Sequence, residues 1–256
     1  MQPNERRNVI LEQLNKHQKI DIEALAAELD VSAMTIRRDL AYLEEKEQII
    51  RTHGGAVLNK PLVMESSFLT KEGKRAAEKK RIAQKAAELV KENYTILLDS
   101  GTTTLEIAKL LKHKSKLTVV TNDIKIAAEL MDSEVKLILT GGEVQNNIGA
   151  LFGPLTEQTL RNVHVDLCFL GAHAVDLHAG VTVPTFEKAS IKKLMIESAR
   201  ATWLVADASK LDQKALVKVC GLKDLSGIIS DSGIVDYHPH ELRELLDVIA
   251  AEEEPE

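Results

Sequence analysis

Apolar residues recur at helical spacing through the first fifty positions of the chain. The second of three such segments begins after Asp21, a good N-cap, and its apolar residues at 22, 25, 26 and 29 share one helix face. A first helix carries apolar residues at 10, 11 and 14, and a third extends over 32–45. The segment IIRTHGGAVL that follows is typical of two short strands joined by Gly54–Gly55. Three helices and a hairpin predict a winged helix over residues 1–58.

The pattern changes at about residue 76. Short apolar runs, YTILLD, LTVVT, VKLILT, VDLCFL and TWLVAD, are now separated mostly by helical or loop segments. Continuous apolar runs of this length are typical of parallel strands that are buried on both faces. They predict a mostly parallel α/β domain over 76–250. We expect the polar stretch 59–75 to be a linker, or a strap lying on the next domain, and the acidic residues 251–256 to be a disordered tail.

Composition and charge are those of an ordinary globular protein, with 44% hydrophobic and 28% charged residues. No apolar run approaches the roughly 18 residues that span a bilayer, and the start of the chain does not resemble a signal peptide. We therefore expect a cytoplasmic protein. Two cysteines do not indicate a disulfide framework. Because the eight histidines show no zinc-like spacing, we expect neither a metal nor a cofactor.

The net charge of −6 does not by itself favour a nucleic-acid partner. The first sixty residues contain nine Lys and Arg against ten Asp and Glu. Any DNA-binding surface must therefore depend on where the cations lie, because local clusters can bind phosphates when the total charge does not.

The third helix carries the candidate DNA-binding surface. If Ile36, Leu40 and Leu43 face inward, the 100° step per residue places Met34 and Arg38 on the solvent side. The first turns of one helix can reach base edges in a major groove. The expected DNA contacts are Ser32, Met34, Thr35, Arg37 and Arg38 of this helix, Arg51 of the wing, and Arg6 and Arg7 of the first helix. In the alternative, the arginines pair with Asp39, Glu44 and Glu45 on a solvated helix.

A second candidate site lies in the α/β domain, where DSGTTT at 99–104 connects a strand to a helix. Backbone amides, hydroxyls and a helix N-terminus suit an anion such as phosphate. The loop matches neither a Walker A nor a dinucleotide fingerprint. Two further loops also follow strands, and the carboxyl ends of parallel strands share one edge of a sheet. The expected ligand contacts are Asp99, Ser100, Gly101, Thr102, Thr103, Thr104, Thr121, Asn122, Gly141 and Gly142 from these loops, with Lys79 and Lys210 for phosphate and Asp99, Asp207 and Glu187 for hydroxyls. For each single residue, a surface ion pair or a helix cap is an equal alternative.

These motifs together resemble the DeoR-type bacterial transcriptional regulators. The segment Ser32-x2-Thr35-Ile36-Arg37-Arg38-Asp39-Leu40 and the wing RTHGGA at 51–56 are similar to the family's DNA-binding signature. The DSGTTT loop, Gly180-Val181-Thr182 and Asp207-x-Ser209-Lys210 are similar to its effector domain. The resemblance implies an effector domain with the fold of ribose-5-phosphate isomerases and a phosphorylated sugar as effector. At 71, where the family often has arginine, this chain has lysine, which keeps the charge but loses bidentate phosphate binding.

Two functions follow from this resemblance and the residues. The first is a repressor that binds double-stranded operator DNA as a homodimer or homotetramer and is released by a phosphorylated sugar. The second is a sugar-phosphate isomerase with an accessory helical domain, which would need a base and groups that stabilise an enediolate. An isomerase does not need a winged helix, so we expect no catalytic residues.

Overall fold

The computed structural model divides the chain into two units, Met1–Met64 and Glu65–Glu256. It describes residues 2–17, 19–46, 48–52, 54–58, 62, 67–237 and 239–252. His53, seven residues of the expected linker (59–61 and 63–66) and the end of the expected tail (253–256) therefore lie outside the described residues. No helix in the described part of the chain is both long and apolar enough to span a membrane.

The first unit is a winged helix, as the periodicity predicts. Its elements are α1 (Pro3–His17), β1 (Lys19–Asp21), α2 (Ile22–Glu28), α3 (Ala33–Glu45), β2 (Ile49–Thr52) and β3 (Gly55–Leu58). The strands form an antiparallel sheet in the order β1-β3-β2. The third strand, β1, was not predicted, because three residues with one apolar side chain give no detectable alternation.

Both predicted N-caps are present. Asp21 accepts hydrogen bonds from the amides of Glu23 (2.9 Å) and Ala24 (3.0 Å) at the start of α2. Ser32 accepts one from the amide of Thr35 (3.2 Å) at the start of α3. Each cap satisfies amides that lack partners inside the helix and so fixes where the helix begins.

A buried ion pair holds α1 against α3. The Asp39 carboxylate is 1% exposed and accepts hydrogen bonds from Nε of Arg6 (2.5 Å) and Nε of Arg7 (2.9 Å). The Arg7 guanidinium also lies 3.7 Å from the centre of the Tyr42 ring. The orientation of α3 therefore depends on charges from the first helix as well as on apolar packing.

The second unit contains twelve strands and seven α-helices among its described residues. The helices are α4 (Phe68–Glu72), α5 (Ala76–Glu88), α6 (Thr102–Leu111), α7 (Ile124–Leu130), α8 (Pro154–Arg161), α9 (Phe186–Glu197) and α10 (Pro239–Leu245). The strands are β4 (Thr95–Leu98), β5 (Thr118–Thr121), β6 (Lys136–Leu139), β7 (Glu143–Val144), β8 (Leu151–Phe152), β9 (Leu167–Gly171), β10 (Ala174–Asp176), β11 (Gly180–Val183), β12 (Thr202–Val205), β13 (Val217–Cys220), β14 (Gly227–Asp231) and β15 (Asp247–Ala251).

A seven-stranded parallel sheet forms the centre of this unit, in the order β15-β14-β12-β9-β4-β5-β6. Successive side chains of a strand point to opposite faces, so Ile96 and Leu98 join one core while Leu97 joins the other. The first core includes residues of α5, α6 and α7, and the second includes α9 and the small antiparallel sheet β10-β11-β13. The predicted α/β fold is present, with this small sheet and the β7-β8 hairpin in addition.

The segment expected as linker contains the helix α4. Phe68 is 5% exposed and packs into the core of the second unit, and its amide donates to the carbonyl of Asn147 (3.0 Å). Residues 67–75, here called the strap, therefore lie on the second unit. Of the two expectations for this segment, a linker or a strap, they fit the second. At the other end, β15 runs to Ala251, one residue into the expected tail, because Ala251 is buried against the sheet.

Asp39→Asn should destabilise the first unit by about 3 kcal/mol, because it removes the buried carboxylate that Arg6 and Arg7 both bind. Urea unfolding of the Asp39→Asn variant, followed by circular dichroism, measures the effect. Glu45→Gln is the matched control, since it removes one exposed carboxylate from the same helix. Equal stability of the two variants would contradict the role assigned to the ion pair.

Candidate DNA-binding face and ligand site

The outer face of α3 has the residues and exposure that the periodicity predicts. Ile36, Leu40 and Leu43 are buried, while Met34 is 63% exposed and Arg38 is also exposed. Arg38 has no partner among the residues that the structure describes. The side chains of Ser32, Thr35 and Arg37 lie on the same helix, with Ser32 and Thr35 hydrogen-bonded to each other (2.9 Å) and Arg37 bound to Glu23 (3.0 Å).

The cations expected from α1 have a different role. Arg6 is only 8% exposed, and both Arg6 and Arg7 bind Asp39 rather than presenting their charge to solvent. The sequence alone does not show this, because it does not reveal that Asp39 is buried. Arg51 on β2 remains exposed, and its guanidinium lies 3.7 Å from Glu44. Of the five arginines expected to contact DNA, Arg37, Arg38 and Arg51 are therefore the exposed ones.

The loop at 99–104 begins α6 without a side-chain cap at Gly101. Thr102, Thr103 and Thr104 are all buried, and the Thr104 hydroxyl donates back to the Gly101 carbonyl (2.9 Å). The amides of the first turn have no acceptor inside the helix. Together with the positive end of the helix dipole, they make this turn suitable for an anion.

Asp99, the first residue of the loop, is bound in place from another part of the chain. Its Oδ2 accepts hydrogen bonds from the Gly171 amide (2.8 Å) and from Nζ of Lys192. Lys192 also donates to the Gly171 carbonyl (2.8 Å). This buried ion pair joins the ends of β4 and β9 to α9. Sequence reasoning missed Lys192, which lies 93 positions from Asp99.

A cluster of cations surrounds Asp207, where β12 ends. Arg75 lies 3.6 Å from the Asp207 carboxylate, which also caps the following 3-10 turn. Burial lowers the pKa of Lys210, and the charges of Lys71, Lys74 and Arg75 lower it further, although Asp207 opposes them. Three further cations thus act on Lys210 near this buried carboxylate, and one of them, Arg75, also pairs with Glu78 (3.6 Å).

Lys79 does not extend toward a ligand as expected. It is 5% exposed, and its Nζ donates to the carbonyls of Lys74 (2.6 Å) and Lys71. Burial lowers its pKa, an effect that Asp207 partly offsets. Lys79 therefore holds the strap against α5.

In the loop after β5, Thr121 and Asn122 have different roles, although the sequence predicts a ligand contact for both. Thr121 donates to the Leu98 carbonyl (2.8 Å) and accepts from the Asp123 amide (3.1 Å), so its hydroxyl is used within the fold. Asn122 is buried and lines a cavity that also includes Asp99 and Ser100. Ser100 donates to Asp123 (2.6 Å), whose pKa is raised by burial.

The structure gives Gly141 and Gly142 a backbone role and places Glu187 away from the cavity. Both glycines have positive φ, and a Cβ on Gly142 would lie 2.3 Å from the carbonyl oxygen of Phe152, so the turn requires glycine for its backbone path. Glu187 is exposed at the start of α9, where its own backbone amide lowers its pKa. It does not line the cavity, although its neighbour Lys188 does.

These two sites define a class of protein. A winged helix with an exposed arginine-bearing helix is joined in one chain to an α/β domain with a polar, anion-suited crevice at its strand ends. Within the described residues, no group of three or more His, Cys, Asp or Glu is placed to hold a metal ion. The class is that of transcription regulators that respond to a small ligand.

The chain belongs to the DeoR family of transcriptional regulators. A family model described as the DeoR-like helix-turn-helix domain matches residues 6–61, and one described as the DeoR C terminal sensor domain matches residues 74–232. Proteins of this family are DNA-binding regulators and not enzymes, so the isomerase alternative is set aside.

Relatives with assigned names agree. The chain is 36% identical to the HTH-type transcriptional regulator GlpR of Haloferax volcanii over 94% of each protein. It is 35% identical to a candidate repressor of the aga operon from Escherichia coli O157:H7, over 90% of this chain and 87% of that protein. It is 36% identical to the L-fucose operon activator of Haemophilus influenzae, over 91% of this chain and 94% of that protein.

Solved structures are more distant. Ribose 5-phosphate isomerase A from Methanocaldococcus jannaschii shares 19% identity, with 52% of this chain and 53% of that chain covered and a TM-score of 0.39. A translation initiation factor eIF-2B from Pyrococcus horikoshii shares 15% identity, with 88% of this chain and 86% of that chain covered and a TM-score of 0.42.

Lys192→Met should destabilise the second unit by about 3–5 kcal/mol, because Asp99 would be left as an uncompensated buried charge. Chemical unfolding followed by near-ultraviolet circular dichroism measures the loss. Lys193→Met is the control, since Lys193 is the exposed neighbour on the same helix. If both variants unfold at the wild-type denaturant concentration, the ion pair does not support the crevice.

Proposed function

We propose that the chain represses a carbohydrate-metabolism operon in the cytoplasm and leaves its operator when a phosphorylated sugar binds to the second unit. The observation that carries this proposal is the uncapped first turn of α6 at Gly101, at the same edge of the parallel sheet as the cations near Asp207, since it follows β4 as Asp207 follows β12. The names of the aga and L-fucose operon regulators support a sugar-related operon. One of these two relatives is named an activator, so the direction of regulation rests on the family resemblance.

Operator binding is assigned to the outer face of α3. Arg38 and Met34 extend from its first turns, where side chains reach base edges, and Ser32, Thr35 and Arg37 flank them. Arg51 on the wing contacts the DNA backbone. Two such helices on successive major-groove turns, about 34 Å apart, require at least a homodimer, and a homotetramer meets the same requirement.

The phosphate of the effector is assigned to the first-turn amides of α6 and to Lys210. Burial and then the neighbouring cations lower the pKa of Lys210, so an anion placed among these cations relieves their repulsion. Lys79 is omitted from this contact set because its ammonium group already binds two carbonyls of the strap. Asp99 and Asp207 remain the acceptors for sugar hydroxyls.

The strap offers a route from the effector to the DNA-binding unit. It begins three residues after the first unit ends and is held at Lys79 and by the ion pair between Arg75 and Asp207. A phosphate that competes with Asp207 for these cations would change the forces on the strap. Coupling of this kind requires only about 1–3 kcal/mol between the two sites.

Arg38→Ala should weaken operator binding by about 1–3 kcal/mol without loss of stability, because the side chain is exposed and contacts only DNA in this proposal. Fluorescence anisotropy with a duplex from upstream of the protein's own gene measures it. Lys46→Ala, which removes a cation from the other end of the same helix, should have a smaller effect. Unchanged affinity in Arg38→Ala would remove α3 as the recognition helix.

Gly101→Asp should abolish release from the operator by phosphorylated sugars and leave DNA binding intact, since it places a carboxylate where the phosphate would bind. Gly101→Ala is the control. Residue 101 has an extended backbone that any residue can adopt, and the Cβ of alanine would lie 3.3 Å from the Thr104 hydroxyl. Anisotropy with and without a set of phosphorylated sugars and their unphosphorylated forms compares the variants. Normal release in Gly101→Asp would place the phosphate elsewhere.

A further inference from the structure

A small cavity lies beside the Gly101 loop, on the α9 side of the sheet. It opens between the ends of β4 and β5, the β7-β8 hairpin and α9. Its polar lining comes from Asp99, Ser100, Asn122, Lys188 and Lys192, and its apolar lining from Ala150, Phe152 and Ile191. The cations around Asp207 do not line it. This cavity therefore has chemistry of its own within the crevice.

Asn122 lines this cavity and holds an unpaired acceptor atom in a fixed orientation. Its Nδ2 donates to the Leu151 carbonyl (3.2 Å), and its own backbone carbonyl accepts from the Leu151 amide (2.7 Å). Because Nδ2 must face that carbonyl, the amide cannot be flipped, and Oδ1 is the atom left over. Asn122 is 2% exposed, and Oδ1 has no hydrogen-bond partner among the residues that the structure describes. Because a buried acceptor without a hydrogen-bond partner is unfavourable, this atom favours a ligand with a hydrogen-bond donor.

Lys192 supplies the matching donor. Two of its three N–H groups bind Asp99 and the Gly171 carbonyl, and the third has no partner in the described part of the chain. The Ser100 hydroxyl donates its hydrogen to Asp123, so toward the cavity it can only accept. The cavity thus offers acceptors and the third N–H of Lys192 between apolar walls, with the Lys188 ammonium group also in its lining.

We propose that this cavity is the hydroxyl-recognition subsite of the effector, in which Asn122 Oδ1 accepts from one sugar hydroxyl and Lys192 Nζ donates to a neighbouring one. Ile191 and Phe152 then contact the C–H face of the sugar. This assignment rests on the proposed function, because it assumes that a phosphorylated sugar enters the crevice. It makes Asn122 a specificity-determining residue, and it assigns the phosphate and the hydroxyls to different groups of side chains.

Binding of matched phosphorylated sugars to the full-length protein tests the assignment. Isothermal titration is carried out with D-ribose 5-phosphate, D-fructose 1-phosphate, D-glucose 6-phosphate and D-galactose 6-phosphate, each beside its monodeoxy analogues, and with inorganic phosphate. The variants are Asn122→Leu, which has no acceptor, and Asn122→Asp, which keeps an acceptor oxygen but loses the donor to Leu151. Circular dichroism confirms that each variant is folded.

For the sugar phosphate that binds best, we expect Asn122→Leu to weaken binding about tenfold, the effect of one hydrogen bond. Wild-type protein should bind one of its monodeoxy analogues about tenfold more weakly, and Asn122→Leu should bind that analogue as wild type does. Asn122→Asp should stay closer to wild type than Asn122→Leu does. Inorganic phosphate should bind all three proteins equally.

Three results would overturn the assignment. In the first, Asn122→Leu binds the parent compound as tightly as wild type. In the second, it binds the parent and every deoxy analogue equally weakly, which indicates a structural role only. In the third, wild type fails to distinguish any monodeoxy analogue, a result that does not depend on how the variants fold. If none of the phosphorylated sugars binds wild type, the proposed function itself fails, and this outcome is distinct from the other three.

Discussion

The ligand-binding half of this protein depends on the buried ion pair between Asp99 and Lys192. Parallel strands leave a gap at their carboxyl ends wherever neighbouring connections diverge, and that gap becomes a site only if its walls are fixed. Asp99 and Lys192 fix it by joining the Gly171 backbone to two elements distant in sequence. A buried pair of charges is costly to desolvate and stabilises little in itself. Its value here is geometric: it orients the 99–104 loop on one side and the Asn122 cavity on the other.

Much of the fold could be predicted from the sequence because its determinants are local. The caps at Asp21 and Ser32 and the apolar spacing of three helices are visible within a few residues of one another, and both caps are present. Five neighbouring strands of the sheet, from β12 to the edge strand β6, are apolar runs that can be recognised without their partners. The strands β14 and β15 at the other edge were missed because their apolar runs are short, as in GIISD and DVIAA. The antiparallel sheet was missed because it pairs short segments from both sides of α9.

The candidate sites were less predictable, and the reason is physical. Sequence gives the chemical type of a side chain but not where its polar atoms are already used. Thr121 and Lys79 have the right chemistry for a ligand, yet both are engaged by backbone carbonyls. Conversely, Lys192 gave no signal, since a lysine on an amphipathic helix is ordinarily a surface residue. Asn122 was predicted to contact the effector, but only the hydrogen bonds to Leu151 indicate which of its atoms is available.

The attachment of Arg6 to Asp39 changes how defective alleles of this regulator are to be interpreted. In a reporter screen, loss of repression at Arg6 and at Arg38 would look alike, and both would be counted as DNA contacts. Arg6 is nearly inaccessible and holds α3 against α1 through Asp39. Its alleles should therefore be temperature-sensitive and correctable by second-site changes that stabilise the winged helix. Defects at Arg38 should be corrected only by a change in the operator sequence.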